Sequence, residues 1–213
     1  MEPFQPPPLP QAGGNAPPRR LAAGTKIAIG ALALAAVFGV VLAVELASSD
    51  KTPRSGDELL VAPTPVLPAA ISGYRIVAEP DLADSLEEQY RATSVSVTDV
   101  EAASVPLRSA AASVVAARLD SRAKPSSSDF RAGVLTGAAG GFDINPAANP
   151  FTYRTVGRVV VYSTSAQQGR LYVWFFRDAF VQLFVPPAIA AEGDEIQRMI
   201  LDAQLSRTAT TLP

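Results

Sequence analysis

The stretch Arg170-Leu-Tyr-Val-Trp-Phe-Phe-Arg-Asp-Ala-Phe-Val-Gln-Leu-Phe-Val185 decides the fold of this chain. It contains two strand-like runs, Arg170–Phe176 and Phe180–Val185, and the polar pair Arg177-Asp178 marks a turn between them. Leu171–Phe176 is apolar at every position. That pattern is typical of a central strand covered on both sides, or of a strand that carries an added contact surface. We therefore predict a hairpin at the heart of a β-rich domain.

The residues that flank this hairpin predict two more elements. Val156–Ser163 is strand-like, and Gly169 marks the turn after it. Pro186-Pro187 ends the last strand, because proline cannot donate to a sheet ladder. A closing helix is predicted from an apolar stripe that comprises Ile189, Ile196, Met199, Ile200 and Ala203.

The N-terminal part of the same domain is predicted to alternate strands and helices. Tyr74–Val77 is a short strand and Ser94–Thr98 another, with a helix over Asp81–Arg91 between them. The apolar face of this helix comprises Leu82, Leu86 and Tyr90.

The middle of the domain holds one ambiguous segment. Ala110–Leu119 is rich in alanine, which suits a helix, but Val114 and Val115 favour the second arm of a hairpin, and we interpret it as a strand. Ser126-Ser-Ser-Asp129 then offers an N-cap for a helix that Gly137 or Gly140-Gly141 would end. The order β-α-β-β-α-β-β-β-α predicts an α+β domain over residues 70–207, with helices packed on an antiparallel sheet.

The N-terminal third of the chain predicts a membrane anchor. Ile27–Leu46 is twenty residues long and has Glu45 as its sole charge. A helix of that length spans ~30 Å, the thickness of the hydrocarbon core of a bilayer. We predict a transmembrane helix over residues 27–47, a disordered Pro-rich tail over 1–26, and a Pro/Ser-rich linker over 48–69. A buried helix of a soluble protein and a cleaved secretory signal are the alternatives.

Basic residues on the two sides of the apolar run indicate its orientation. Arg19, Arg20 and Lys26 precede it, whereas Lys51 and Arg54 follow it. Because basic flanks stay on the cytoplasmic side, we expect a cytoplasmic N-terminus and a domain outside the cell membrane.

Composition narrows the possible chemistry. The chain has no Cys and no His, and its formal net charge is −2. Thiolate metal sites, cysteine nucleophiles and histidine bases are thereby excluded, and we expect no metal, no cofactor and no catalytic residues. The sequence also lacks the basic stripe with interleaved aromatics that is typical of nucleic-acid binders, so nucleic acid is not an expected partner.

Two short motifs resemble functional sites. Ser121-Arg-Ala-Lys124 matches the S-x-x-K pattern of acyl-transferring enzymes, but a companion K-T-G element is missing. Asp143, Asn145 and Asn149 carry oxygen atoms suited to Ca²⁺, but their spacing fits no known loop geometry. We interpret the first as a coincidence and the second as a turn.

Aromatic residues are unevenly distributed. Nine of the fifteen fall between residues 151 and 184. We predict a possible contact surface at Tyr172, Trp174 and Phe176, because Tyr and Trp are enriched at interfaces. A hydrophobic core built on the last hairpins is the alternative.

These features predict a single-pass membrane protein of the cell envelope with an extracytoplasmic domain. We expect this domain to be a non-catalytic binding or scaffold module. Its expected partners are the lipid bilayer, through Ile27–Leu46, and an unknown envelope protein or ligand. Two alternatives stay open: a membrane-anchored hydrolase that uses Ser, Asp or Glu, and a secreted protein released from a cleaved signal.

Overall fold

A computed structural model of the chain describes residues 59–91 and 97–210. The strands are β1 (Ala70–Ile71), β2 (Tyr74–Arg75), β3 (Val77–Ala78), β4 (Val97–Pro106), β5 (Ala111–Leu119), β6 (Thr152–Val156), β7 (Val159–Ala166), β8 (Gly169–Phe175) and β9 (Ala179–Val185). The helices are α1 (Pro80–Arg91), α2 (Ser128–Gly141) and α3 (Gly193–Thr210), and a 3-10 segment, Pro187–Glu192, leads into α3.

Seven of the strands form one antiparallel sheet in the order β3-β4-β5-β9-β8-β7-β6. The short strands β1 and β2 pair separately. The prediction of an α+β domain with an antiparallel sheet and helices is thereby confirmed. Ala110–Leu119 is indeed the second arm of a hairpin, since β5 pairs with β4 from Leu119 at one end to Ala111 at the other.

Both faces of the sheet are covered, so the domain has three layers. Side chains alternate across a strand, and β8 shows this clearly. Leu171, Val173 and Phe175 belong to an apolar cluster with residues of α1 and α2, whereas Tyr172 and Trp174 belong to a second cluster with residues of α3. The strand predicted to be apolar on both faces is therefore a central strand buried on both sides.

The helix positions follow from local sequence signals. Ser127 caps α2, since its side-chain oxygen accepts a hydrogen bond from the Phe130 amide at 3.2 Å. The helix ends at Gly141, one of the predicted stops. In α1, Leu86 is 2% exposed and anchors the predicted apolar face. Caps of this kind satisfy backbone groups that a helix end leaves open.

Two predicted strands differ from the structure. The segment 156–163 is not one strand, because Gly157 (φ 60°) turns the chain from β6 into β7. The turn predicted at Gly169 lies directly before it, at Gln167-Gln168, and Gly169 is the first residue of β8. Its α-carbon lies so close to β9 that a Cβ atom there would be 2.4 Å from the carbonyl oxygen of Val185. The segment predicted as one strand at Tyr74–Val77 is split between β2 and β3.

Residues 59–69, which we call the strap, were predicted as the second half of a linker, and this prediction is wrong for these residues. Val66 is fully buried and Leu67 is 7% exposed, both in the α3-side core. The Glu101 carboxylate accepts hydrogen bonds from the amides of Val66 and Leu67, at 2.7 Å each. At the other end of the strap, Asp178 Oδ1 accepts from the Ala62 amide at 2.7 Å.

Side chains of the sheet and of α3 hold the strap carbonyls. Arg118 Nη2 donates to the Pro63 carbonyl at 2.5 Å. Gln204 Nε2 and Arg207 Nη2 both donate to the Val66 carbonyl, at 3.0 and 2.9 Å. The strap has no regular structure of its own, so it relies on these side chains to satisfy its buried backbone groups. The domain therefore begins before residue 70.

The predicted tail (1–26), transmembrane helix (27–47) and first part of the linker lie outside the described residues. Each helix in the described part of the chain is too short or too polar to cross a membrane.

Candidate functional site at the β6 edge of the sheet

The three aromatic residues predicted as a contact surface lie in the core. Tyr172 is 3% exposed, and Trp174 and Phe176 are fully buried. The Trp174 indole N–H donates to Gln204 Oε1 at 2.9 Å, so its polar group is satisfied inside the domain. These residues therefore do not form a contact surface, because α3 and the strap cover the face of the sheet on which their side chains lie.

The phenol of Tyr172 nevertheless reaches a polar group at the surface. Its hydroxyl lies 3.2 Å from Asp194 Oδ1. Arg170 Nη1 donates to the other oxygen of Asp194 at 3.2 Å, and Arg154 Nη2 lies 3.7 Å from Oδ1. Arg154 also donates to Gln197 Oε1. We call these five residues, Arg154, Arg170, Tyr172, Asp194 and Gln197, the Asp194 cluster.

Three elements bring this cluster together. Arg154 comes from β6, and Arg170 and Tyr172 come from β8. Asp194 and Gln197 lie in the first turns of α3. They are three residues apart and are therefore neighbours on the helix. Gly193 permits the close approach, because a Cβ atom there would lie 2.9 Å from the Tyr172 hydroxyl oxygen. The carboxylate of Asp194 also suits the positive end of the helix dipole.

Two side chains of the cluster have shifted pKa values. Burial raises the pKa of Tyr172 most, the hydrogen bond with Arg170 lowers it, and the charge of Asp194 raises it again. The pKa of Arg170 is raised, mainly by its hydrogen bond with Tyr172. At neutral pH the Tyr172 phenol is therefore protonated and the Arg170 guanidinium is charged, so both are hydrogen-bond donors.

The ion pairs of the cluster are open to solvent. The side chains of Arg154, Arg170 and Asp194 are 50%, 41% and 59% exposed. Exposed pairs of this kind contribute roughly 0–1 kcal/mol to stability. A ligand carboxylate could replace or join Asp194 at the two arginines with little loss of folding free energy.

Gln197 is the unusual member of the cluster. The residue is fully buried and its Oε1 accepts from Arg154, but its Nε2 has no hydrogen-bond partner among the residues that the structure describes. Buried polar groups are nearly always paired, and an unpaired donor costs about 1–3 kcal/mol. The Nε2 atom is itself buried, so a ligand from outside the domain does not reach it.

The cluster borders an edge strand. Among the described strands, β6 pairs with β7 alone, and Thr152, Arg154 and Thr155 are exposed. Val156 and Val159 flank the two-residue turn, so they form a hydrogen-bonded pair. Because pairs alternate in an antiparallel ladder, the N–H and C=O groups of Thr155 point towards the open edge. Such groups can pair with an extended segment of another molecule.

The two short motifs have no comparable support. Ser121 and Lys124 are exposed in the turn region between β5 and α2. The Asn145 side chain accepts a hydrogen bond from the Ala147 amide at 3.0 Å, as expected for a turn residue. No group of three or more acidic side chains suited to a metal ion occurs in residues 59–91 and 97–210.

The sequence signals missed the Asp194 cluster. Asp194 belongs to the acidic pair Asp194/Glu195, which is typical of a helix face exposed to solvent. Arg154 and Arg170 lie in β6 and β8, and the sequence does not predict how these strands pair. A charged residue at the centre of the short run Thr152–Val156 is the one signal that could have indicated an edge strand. Comparison with known proteins supplies no further guide: no protein-family model, curated protein or solved structure matches this chain.

Proposed function

We propose that this chain is a single-pass membrane protein of the cell envelope whose domain is a non-catalytic binding module. The N-terminus is cytoplasmic and the domain lies outside. The anchor is the apolar run Ile27–Leu46. The domain binds an envelope partner at its β6 edge, where the partner adds an extended segment to the sheet and places a carboxylate at the Asp194 cluster.

The observation that carries the binding proposal is the pair of partly exposed guanidinium groups beside the open edge of β6. The side chains of Arg154 and Arg170 are 50% and 41% exposed. A partner carboxylate at this position would accept from both groups, and hydrogen bonds to charged acceptors are roughly twice as strong as neutral ones. The open edge of β6 supplies the main-chain contacts that orient such a partner.

A second copy of this chain is a poor candidate for the edge. Arg154 lies at the centre of β6, between Thr152 and Val156. Symmetric antiparallel pairing centred on that residue would place the Cβ atoms of two arginines roughly 5 Å apart, and like charges directly opposite each other destabilise a pair. The edge therefore favours a different, acidic partner.

The proposal is tested by affinity capture from solubilised membranes with the full chain and the variants Arg154→Glu and Thr155→Pro. Arg154→Glu reverses the charge at the cluster, and Thr155→Pro removes an edge-facing amide without removing a bond to β7. We expect a partner that is enriched with wild type and reduced at least about tenfold in each variant, which corresponds to ~1.4 kcal/mol.

Arg108→Glu is the matched control, because Arg108 is exposed and belongs to the turn between β4 and β5. It changes the net charge by the same amount and is expected to retain the partner. Equal thermal unfolding of all four proteins shows that the fold is intact. Recovery of the same partner in equal amounts with all four would refute the binding face.

A further inference from the structure

The strap enters the domain at one defined end of the sheet. The Arg177 amide donates to the Leu60 carbonyl at 2.7 Å, in the turn between β8 and β9. The end of β5 lies beside this turn, since the Leu119 amide donates to the Asp178 carbonyl at 2.9 Å. Thr208, near the end of α3, contacts the carbonyl of Val61 at 3.5 Å. We call this the basal end, and Leu59, the first residue that the structure describes, lies here.

Exposed basic residues gather at the basal end. Arg177 lies in the β8–β9 turn, and Arg122 and Lys124 lie in the loop that continues from β5. Arg158 lies in the turn between β6 and β7, at the same end, because Val161 pairs with Trp174 and the two strands run antiparallel. All four residues are exposed.

Acidic groups at the basal end are partly neutralised. Asp178 forms an ion pair with Arg118 at 3.1 Å and also accepts from the strap. Asp120 accepts hydrogen bonds from the amides of Arg122 and Ala123, at 2.7 and 3.2 Å. Asp99 and Asp129 are exposed, and so are Glu88 and Arg91 near the end of α1, where Tyr90 packs on Phe180 beside the same turn. Five exposed basic residues therefore face three exposed acidic ones at the basal end.

The opposite end of the sheet has no excess of positive charge. The exposed acidic residues there comprise Asp81 in α1, Asp143 after α2, and Asp194 and Glu195 in α3. Exposed Arg75, Arg108, Arg154 and Arg198 balance them. A negatively charged surface therefore attracts the basal end more than the opposite end.

We propose that the basal end docks on the anionic phospholipid headgroups of the membrane that holds the chain. The inference rests on the anchor of the proposed function. Arg122, Lys124, Arg158 and Arg177 contact lipid phosphates, since basic residues next to a membrane segment are attracted to anionic lipids. The Asp194 cluster lies at the other end of β8. It is therefore ~20 Å farther from the membrane than the basal end, since that is the length of a seven-residue strand.

The test uses the full chain in nanodiscs made of phosphatidylcholine alone or of phosphatidylcholine mixed with phosphatidylglycerol. Amide hydrogen exchange is measured over residues 118–127 and 176–180. We expect exchange there to be several-fold slower with phosphatidylglycerol, and the protection to fade at high salt, because salt screens exposed charges. Exchange in the turn 107–110, remote from the membrane, is expected to be the same in both lipids.

A variant with Arg122, Lys124, Arg158 and Arg177 each replaced by Gln is expected to lose the lipid-dependent protection. A control variant carries Arg75→Gln and Arg108→Gln at the opposite end of the sheet and is expected to keep it. Unchanged exchange of the β8 core amides shows that both variants fold. Equal exchange in the two lipids would refute the docking proposal but not the anchor. Protection that remains in the variant with four substitutions would do the same. A chain that separates from the nanodiscs on size exclusion overturns both this proposal and the anchor.

Discussion

Replacing Trp174 with alanine is expected to destabilise the domain by about 3–5 kcal/mol, the usual cost of truncating a buried Trp or Phe. Trp174 is fully buried in the core between the sheet and α3. Its removal leaves a cavity and also deprives Gln204 Oε1 of its donor. Because small proteins are stable by about 5–15 kcal/mol, this single change removes a large part of the total.

The measurement is urea unfolding of the full chain in detergent micelles, followed by circular dichroism. Trp174→Phe is the control, because it keeps most of the aromatic volume and removes the indole N–H. It is expected to cost less, about 1–3 kcal/mol, since it leaves one buried acceptor without its donor. A loss below ~1 kcal/mol for Trp174→Ala would show that this residue is not in a packed core.

The second large effect is expected at the strap. Glu101→Ala removes the acceptor of two strap amides, Val66 and Leu67, each 2.7 Å from a carboxylate oxygen. Hydrogen bonds to charged groups are worth about 1.5–3 kcal/mol each, and here the two share one partly exposed carboxylate. We therefore expect a loss of about 2–3 kcal/mol in the free energy of unfolding.

Hydrogen exchange distinguishes this effect from a general loss of stability. In Glu101→Ala, the amides of Val66 and Leu67 are expected to exchange much faster than those of β8. Glu88→Ala, at an exposed position of α1, is the matched control and is expected to leave stability within ~0.5 kcal/mol of wild type. Wild-type exchange at both strap amides in Glu101→Ala would mean that the carboxylate does not hold the strap.

Short-range signals explain what was predictable in the fold. The two-sided apolar run at Leu171–Phe176, the Arg177-Asp178 turn and the Ser127 cap are all properties of a few adjacent residues, and each appears in the structure. The assignment of Ala111–Leu119 to a strand was harder, because alanine favours a helix and pairing with both neighbours, β4 and β9, overrides that preference.

Long-range pairing explains what was missed. The strap has a Pro-rich sequence typical of a linker, and the groups that hold it come from Glu101, Arg118, Asp178 and Gln204, far away in the sequence. The turn at Gly157 was hidden because valines lie on both sides of Gly157-Arg158, at position 156 and at positions 159–161. The Asp194 cluster depends on the register of β6, β7 and β8 and on the position of α3, which local periodicity does not determine.

The burial of the predicted aromatic surface has a consequence for function. Tyr172 and Trp174 belong to the core, so mutation of these residues would test stability rather than recognition. Arg154 and Thr155 are exposed at the sheet edge and are better positions at which to test binding.

The central claim is that Ile27–Leu46 anchors the chain with its domain outside. Full-length protein with tags at both termini is expected to stay in the membrane pellet after extraction with alkaline carbonate. Protease added to intact spheroplasts is expected to remove the C-terminal tag and leave the N-terminal tag protected. Recovery of the full-length chain, with its N-terminus intact, in the carbonate supernatant would contradict the claim.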